Sequence, residues 1–194
     1  MQDIRKENRN KRRALTHRQQ QFAAEHIARL VCRQPFFLRA QRIGFYLPND
    51  GEIGTSILLD VAMAAGKKCF LPTLHPLKFN RLYFAEYNPS TPMAINHFGI
   101  LEPDIAKARL ALTWTLDTIF MPLVAFDRGG SRIGMGGGFY DRTLSFKQET
   151  SRSTPTLIGL AHSCQETDRI ERHHWDIPLD IIATDREIIC ARQR

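Results

Sequence analysis

"DTIFMPLVAF", residues 117–126, is an almost continuous apolar run, and "RIGMGGGFYDR", residues 132–142, follows it with four glycines in five positions. A half-exposed strand alternates apolar and polar residues, whereas one covered on both faces does not. Residues 117–126 therefore read as a central strand of a parallel sheet. The glycines give up side chain where a regular element was available, at roughly 0.5–1 kcal/mol each. Bare backbone that leaves a central strand and opens a helix, over about Phe139–Phe146, suits an anion, because free N–H groups and the helix dipole both favour negative charge. In an open α/β sheet, ligands sit beyond the carboxyl ends of the strands. Arg132, at the entrance of the loop, adds a cation that can hold a phosphate bidentately.

Working outward, strands are predicted at 42–47, 67–72 and 81–87 upstream, and at 156–162, 181–184 and 187–192 downstream. Residues 3–14 read as a short basic helix. Thr16 and Gln19 form a capping-box pattern that opens a second helix running to about Arg33. Thr55 is placed to cap a third helix through Ala65, with Gly66 as its stop. A further helix is expected near 104–112. Asn88–Asp104 reads as a wrapping loop with one short strand. Strands alternating with helices give an α/β sandwich with a mainly parallel sheet.

The 194 residues suffice for one well-buried domain, and 43% hydrophobic with 24% charged residues is ordinary for a globular chain. No apolar run approaches a membrane span, and "MQDIRKENRNKRR" lacks the apolar centre of a signal peptide. Cys32, Cys69, Cys164 and Cys190 have no metal-like spacing and read as reduced core thiols of a cytoplasmic protein. Of the net charge of +7, over half sits in residues 1–13, where six cations face Asp3 and Glu7. Such a segment suits nucleic acid, a membrane surface or a phosphorylated small molecule, or is simply a solvated helix face.

Two phosphate templates fail. The loop lacks the Gly-Lys-Ser/Thr ending of a P-loop, and Phe139 stands where the dinucleotide fingerprint has glycine. A tight turn with no ligand is the plain alternative. A nucleic-acid binder would need aromatics among the basic residues, which "RKENRNKRR" does not have. A sugar-phosphate isomerase would account for the loop but not for the basic helix or Glu52.

The stretch "PLVAFDRGGSRIGMGGGFYDRTL" (122–144) closely resembles the signature of the 5-formyltetrahydrofolate cyclo-ligase family, also called 5,10-methenyltetrahydrofolate synthetases. The resemblance extends to "IRKENRNKRRALT", "FYLPNDGEIGT", "FGILEP" and "HHWDIPLDIIAT". It implies one three-layer α/β/α domain over residues 1–194, with a mainly parallel, mixed sheet. It also implies an ATP- and Mg2+-dependent enzyme acting on a folate. Small-molecule partners, no nucleic acid, no membrane and a monomeric state are expected.

Carried over by position, the resemblance assigns Arg5 and the run Arg132, Ile133, Gly134, Met135, Gly136, Gly137, Gly138, Phe139 and Tyr140 to ATP. Arg132 and Tyr140 are the implied catalytic pair. Leu47 and Glu52 are implied to hold the pteridine, and Met135–Phe139 to touch the folate as well. Asp141 and Asp176 are the implied Mg2+ ligands. Taken alone, Glu52 reads equally as a surface loop acid and Asp176 as a turn residue. The chain departs from the family pattern at Met1, four residues before Arg5, where a Lys or Arg is usual. Either the α-amino group substitutes, or the natural chain begins upstream, or ATP binds less tightly. Phe139 stands where Tyr is common, and Met135 and Gly137 stand where other members carry loop cations.

Overall fold

The structure, a computed structural model, describes residues 2–149 and 154–191. Met1 and Arg192, the end of the last predicted strand, lie outside the described residues. The elements run α1 (Gln2–Arg13), α2 (His17–Val31), α3 (Pro35–Leu38), β1 (Arg42–Gly44), α4 (Ser56–Ala64), β2 (Lys68–Leu74), β3 (Leu82–Tyr87), β4 (Met93–Ile95), β5 (Leu101–Pro103), β6 (Leu110–Ala111), β7 (Thr118–Pro122), β8 (Ala125–Phe126), β9 (Arg132–Ile133), α5 (Phe139–Leu144), α6 (Phe146–Glu149), β10 (Thr156–Ala161), β11 (Ile181–Thr184) and β12 (Ile188–Cys190).

Eight strands form one mixed sheet in the order β12-β11-β10-β7-β1-β2-β3-β6. β1 pairs in parallel with both β2 and β7, and β10 in parallel with β7 and β11. The outer pairings β11–β12, β2–β3 and β3–β6 are antiparallel. The period-two alternation of the strands assigns their side chains to two cores. Ile43, Phe45, Leu71, Phe120 and Ile158 face α2 and α4. Phe70, Ile119, Met121, Leu157 and Ile182 face the opposite way, towards Leu144 of α5 and the segment carrying Ile177 and Leu179. Each of these fully buried side chains contributes about 1.5–3 kcal/mol of transfer free energy. Since β1 is flanked by β7 and β2, reached in opposite directions along the sheet, the carboxyl end of β1 is the switch point where such sheets bind ligands.

The expected central strand is present but splits. Pro122 lacks the N–H that would continue the ladder, and Val124 N–H instead donates to Ile133 O, so the run turns into the β8–β9 ribbon. The expected helix at 104–112 is absent. The Asp104 carboxylate accepts from Ala106 N–H and closes a single turn, and Leu110–Ala111 then joins β3 as an edge strand. The 88–104 loop holds a β4–β5 hairpin in place of one strand. The Thr16–Gln19 capping box is present. Thr55 precedes α4, but its hydroxyl donates to Tyr46 O at 2.6 Å and does not cap the helix. Of the four thiols only Cys69 is buried; Cys32 and Cys164 are half-buried and Cys190 is exposed. No helix among the described residues is long and apolar enough to cross a membrane.

Candidate functional site

A cleft of about 1410 Å3 opens beyond the carboxyl ends of β1, β2 and β7. Tyr46 and Leu47 enter it from β1, Pro72 and Leu74 from β2, and Pro122–Val124 from β7. The glycine loop and the β4–β5 hairpin wall it in. Glu102 fastens that hairpin, its carboxylate accepting from Leu74 N–H (3.0 Å) and from the Asn96 amide (2.9 Å).

All of the loop residues assigned to ATP line the cleft. The loop is held from outside through its carbonyls: Arg5 donates to Gly134 O (2.8 Å), and Asn80 (2.7 Å) and Arg142 (2.6 Å) donate to Gly137 O. The N–H groups of residues 134–138 donate to no acceptor among the described residues, which leaves them for an anion. Gly136 (φ +101°) and Gly138 (φ +65°) adopt left-handed backbone. A Cβ on Gly136 would lie 3.6 Å from the Arg5 guanidinium carbon, whereas one on Gly134 would meet nothing within 4 Å. The expected helix contribution is small, because α5 spans only six residues after the left-handed Gly138. Arg5, Arg81, Arg132 and Arg142 supply positive charge to the cleft. Ile133 is anchored in the core with Val124, Ala125 and Ile170, so its part in the loop is played by backbone. Phe139 packs edge-on against Phe98, ring centres 5.8 Å apart.

Leu47 and Glu52 line the same cleft. The Glu52 carboxyl accepts from Asn49 N–H at 3.0 Å, with Arg12 Nη2 3.8 Å from its second oxygen. Burial raises its pKa to about 7, against the lowering effects of the Asn49 hydrogen bond and of Arg12. Beside it, Asp50 shows the opposite balance: burial raises it, but hydrogen bonds from Arg9, Arg12 and Arg13 outweigh that and bring it to about 2. Tyr140 is raised well above the ordinary phenol range, first by burial and then by the charge of Glu52, with Arg132 opposing. At neutral pH it is therefore a phenol O–H donor. The charge of Glu52 thus bears on the Tyr140 phenol across the cleft.

Arg132 is nearly buried, donating one Nη to Ile177 O and the other to Asp141 Oδ1 at 2.6 Å. The same Asp141 oxygen accepts from Ile177 N–H at 3.1 Å, which sets Asp141 beside the residue that follows Asp176. Asp176 closes a turn by accepting from His173 N–H at 2.8 Å, the turn role that its own residues suggest, and it also lines the cleft. No cluster of three or more His, Cys, Asp or Glu side chains arranged for a metal occurs among the described residues. Mg2+ retains waters and takes one or two carboxylates together with substrate phosphates, so Asp141 and Asp176 on one wall form a donor set that suits it.

The sequence reading passes over several residues that build this site. Arg142 and Asn80 hold the glycine loop, and Arg12 is fully buried within the basic helix. A run of six cations does not say which of them points inward. A usable signal was present, since Ile4, Asn8 and Arg12 recur at intervals of four, a helical stripe, and Asn8 and Arg12 are the two buried residues of α1. The basic helix is thus largely spent within the molecule. Arg9, Arg12 and Arg13 converge on Asp50, Arg5 reaches Gly134, and Lys11 pairs with Glu7.

The family model for the 5-formyltetrahydrofolate cyclo-ligase family matches residues 1–185. A 5-formyltetrahydrofolate cyclo-ligase of Haemophilus influenzae is 41% identical over 182 residues, covering 92% of this chain and 94% of the relative. The Escherichia coli K12 protein of the same name is 38% identical over 180 residues, covering 93% and 97%. Among solved structures, the Aquifex aeolicus 5,10-methenyltetrahydrofolate synthetase matches with a TM-score of 0.82 at 27% identity, covering 100% of this chain and 93% of that one. A 5,10-methenyltetrahydrofolate synthetase from Mycoplasma pneumoniae, 22% identical with a TM-score of 0.74 over 95% and 98%, shares the fold. The signature loop, the mixed sheet that presents it and these matches agree: the chain belongs to the 5-formyltetrahydrofolate cyclo-ligase family.

Proposed function

We propose that residues 1–194 form one domain that converts 5-formyltetrahydrofolate and ATP, with Mg2+, into 5,10-methenyltetrahydrofolate, ADP and phosphate. The observation that carries this reading is the single cleft. It brings Leu47 and Glu52 into one space with the glycine loop, Arg5 and Arg132, and its volume of about 1410 Å3 exceeds the roughly 300–1,000 Å3 usual for one ligand. Two substrates fit that space better than one.

The chemistry follows from the substrate. A formamide oxygen is a poor leaving group, so the γ-phosphoryl group is transferred to it: the new O–P bond forms as the bond to ADP breaks. N10 of the same folate then attacks the formyl carbon, the C–O bond breaks, and phosphate leaves with the formyl oxygen as N10 loses its proton. The second step is intramolecular, where good orientation supplies about 7–11 kcal/mol of the acceleration.

In this reading Glu52, as a carboxylate, accepts from the donor edge of the pteridine, and Leu47 packs on the ring. Arg5, Arg132 and the loop N–H groups spread the phosphate charge. Asp141 and the Ile177 carbonyl pre-orient Arg132, so it needs no reorganisation. Tyr140, which stays protonated, donates a hydrogen bond at the junction of the two substrates. Asp141 and Asp176 hold Mg2+, which when bound neutralises phosphate charge. The test is incubation with 5-formyltetrahydrofolate, ATP and Mg2+ while following the methenyl chromophore. Its growth only when all three are present supports the reading, and a folded protein that yields none overturns it.

A further inference from the structure

Arg12 and His162 do not line the cleft, yet both hold the turn that carries Glu52. Asp50 (φ +54°) and Gly51 (φ +77°) are consecutive left-handed residues. For a non-glycine residue that conformation is uncommon and persists only where the surroundings over-determine it. The surroundings here do. Arg12 Nε donates to Asp50 O (2.8 Å) and Nη2 to the Asp50 carboxylate (2.9 Å). His162 Nε2 lies 3.2 Å from Gly51 O. A carbonyl can only accept, so that nitrogen carries the proton, and burial, which lowers the pKa of His162, keeps the ring neutral. Arg12 also reaches across the molecule: Nη1 donates to Leu123 O (3.0 Å), where β7 leaves the sheet, and Nη2 lies 3.9 Å from Met135 Sδ in the glycine loop. Gln165 donates to the same Leu123 carbonyl (2.8 Å) and fixes it from the other side.

A surface turn has no need of a fully buried guanidinium, which is rarely tolerated without close partners. We infer that Arg12, backed by His162, is a positioning residue that sets the Glu52 carboxyl relative to the glycine loop, and so determines how tightly the folate is held. The inference rests on the cyclo-ligase reading above. It assigns Arg12 no contact with substrate; Arg12 acts through the turn and the end of β7.

The test is steady-state turnover of Arg12→Gln, His162→Phe and His162→Gln between pH 6 and 9, with thermal midpoints recorded alongside. Arg12→Gln and His162→Phe should raise the KM for 5-formyltetrahydrofolate on the order of tenfold, as for a charged hydrogen bond to the ligand that is misaligned, with the KM for ATP within about twofold. His162→Gln retains a donor for Gly51 and should recover most of the loss. The groups facing Glu52 are Arg12 from α1, Asp50 and the Asn49 N–H on its own turn, Tyr46 after β1, and Tyr140 from α5. Arg12 is the cation among them, so Arg12→Gln should also move the midpoint of the folate-KM profile to higher pH. Should Arg12→Gln not fold, the Phe and Gln variants at position 162 decide the matter. Parallel losses for both substrates with an unmoved profile would mean a purely structural role and overturn the inference, as would a folate KM unchanged in every variant. Absence of turnover by the wild type is a different result, and it overturns the cyclo-ligase reading itself.

Discussion

Glu52 and Asp50 are two carboxyls on one turn with opposite electrostatic fates, and the difference is a matter of partners. Asp50 takes three arginines and falls to about 2, whereas Glu52 faces the cleft and rises to about 7. A carboxyl whose folded pKa exceeds its unfolded value of 4.5 contributes stability that is fully present below 4.5 and is lost as pH rises through 7. The difference corresponds to roughly 3 kcal/mol at most. Glu52→Gln should therefore melt several degrees above wild type at pH 8 and close to it at pH 5. The same change should weaken folate binding on the order of 1–3 kcal/mol, because an acceptor becomes a donor facing a donor edge. Calorimetry of folate binding and of ATP binding at pH 8 checks this, and equal losses for both ligands would remove Glu52 from the pteridine site. Asp141→Asn keeps an acceptor for Ile177 N–H but loses the charge opposite Arg132. It should retain the fold and lose most activity, most severely at limiting Mg2+. Normal turnover there would remove Asp141 from the metal.

At the scale of elements, the glycine loop is where a plain turn and a phosphate cradle make different forecasts. Gly136→Val forces a branched side chain onto a φ of +101° against Arg5, so it would damage either kind of loop. Gly134→Ala separates them, since its Cβ enters open space. The turn reading expects no effect, whereas a cradle loses ATP affinity to the methyl group. We expect Gly134→Ala to melt like wild type without ATP and to gain clearly less than wild type when ATP is added, because ligand stabilisation follows occupancy. The elements themselves were legible where one period ruled. The Thr16 box and the strand at 181–184 emerge as read, the strand read at 156–162 stops at Ala161, and the buried run after Asp117 forms a strand that ends at Pro122. The errors fell where a local device overrode the pattern: Pro122 ending β7, the Asp104 turn displacing a helix, and the Thr55 hydroxyl turned towards Tyr46.

For the molecule as a whole, the candidate site was readable as separate motifs but not as one cavity. Arg5, Glu52, Arg132 and Asp141 are spread across the chain, and the order β7-β1-β2 brings them to one end of the sheet. Arg12 stayed hidden among like charges because its role depends on Asp50 and Leu123, 38 and 111 residues away. If this cleft directs the γ-phosphoryl group of ATP onto the formyl oxygen of a folate bound within it, that oxygen must leave in the phosphate. The most direct measurement is turnover of 5-formyltetrahydrofolate carrying 18O in the formyl group, with mass analysis of the inorganic phosphate released. Each phosphate formed alongside methenyl product should carry one 18O; unlabelled phosphate accompanying that product would contradict transfer to the formyl oxygen.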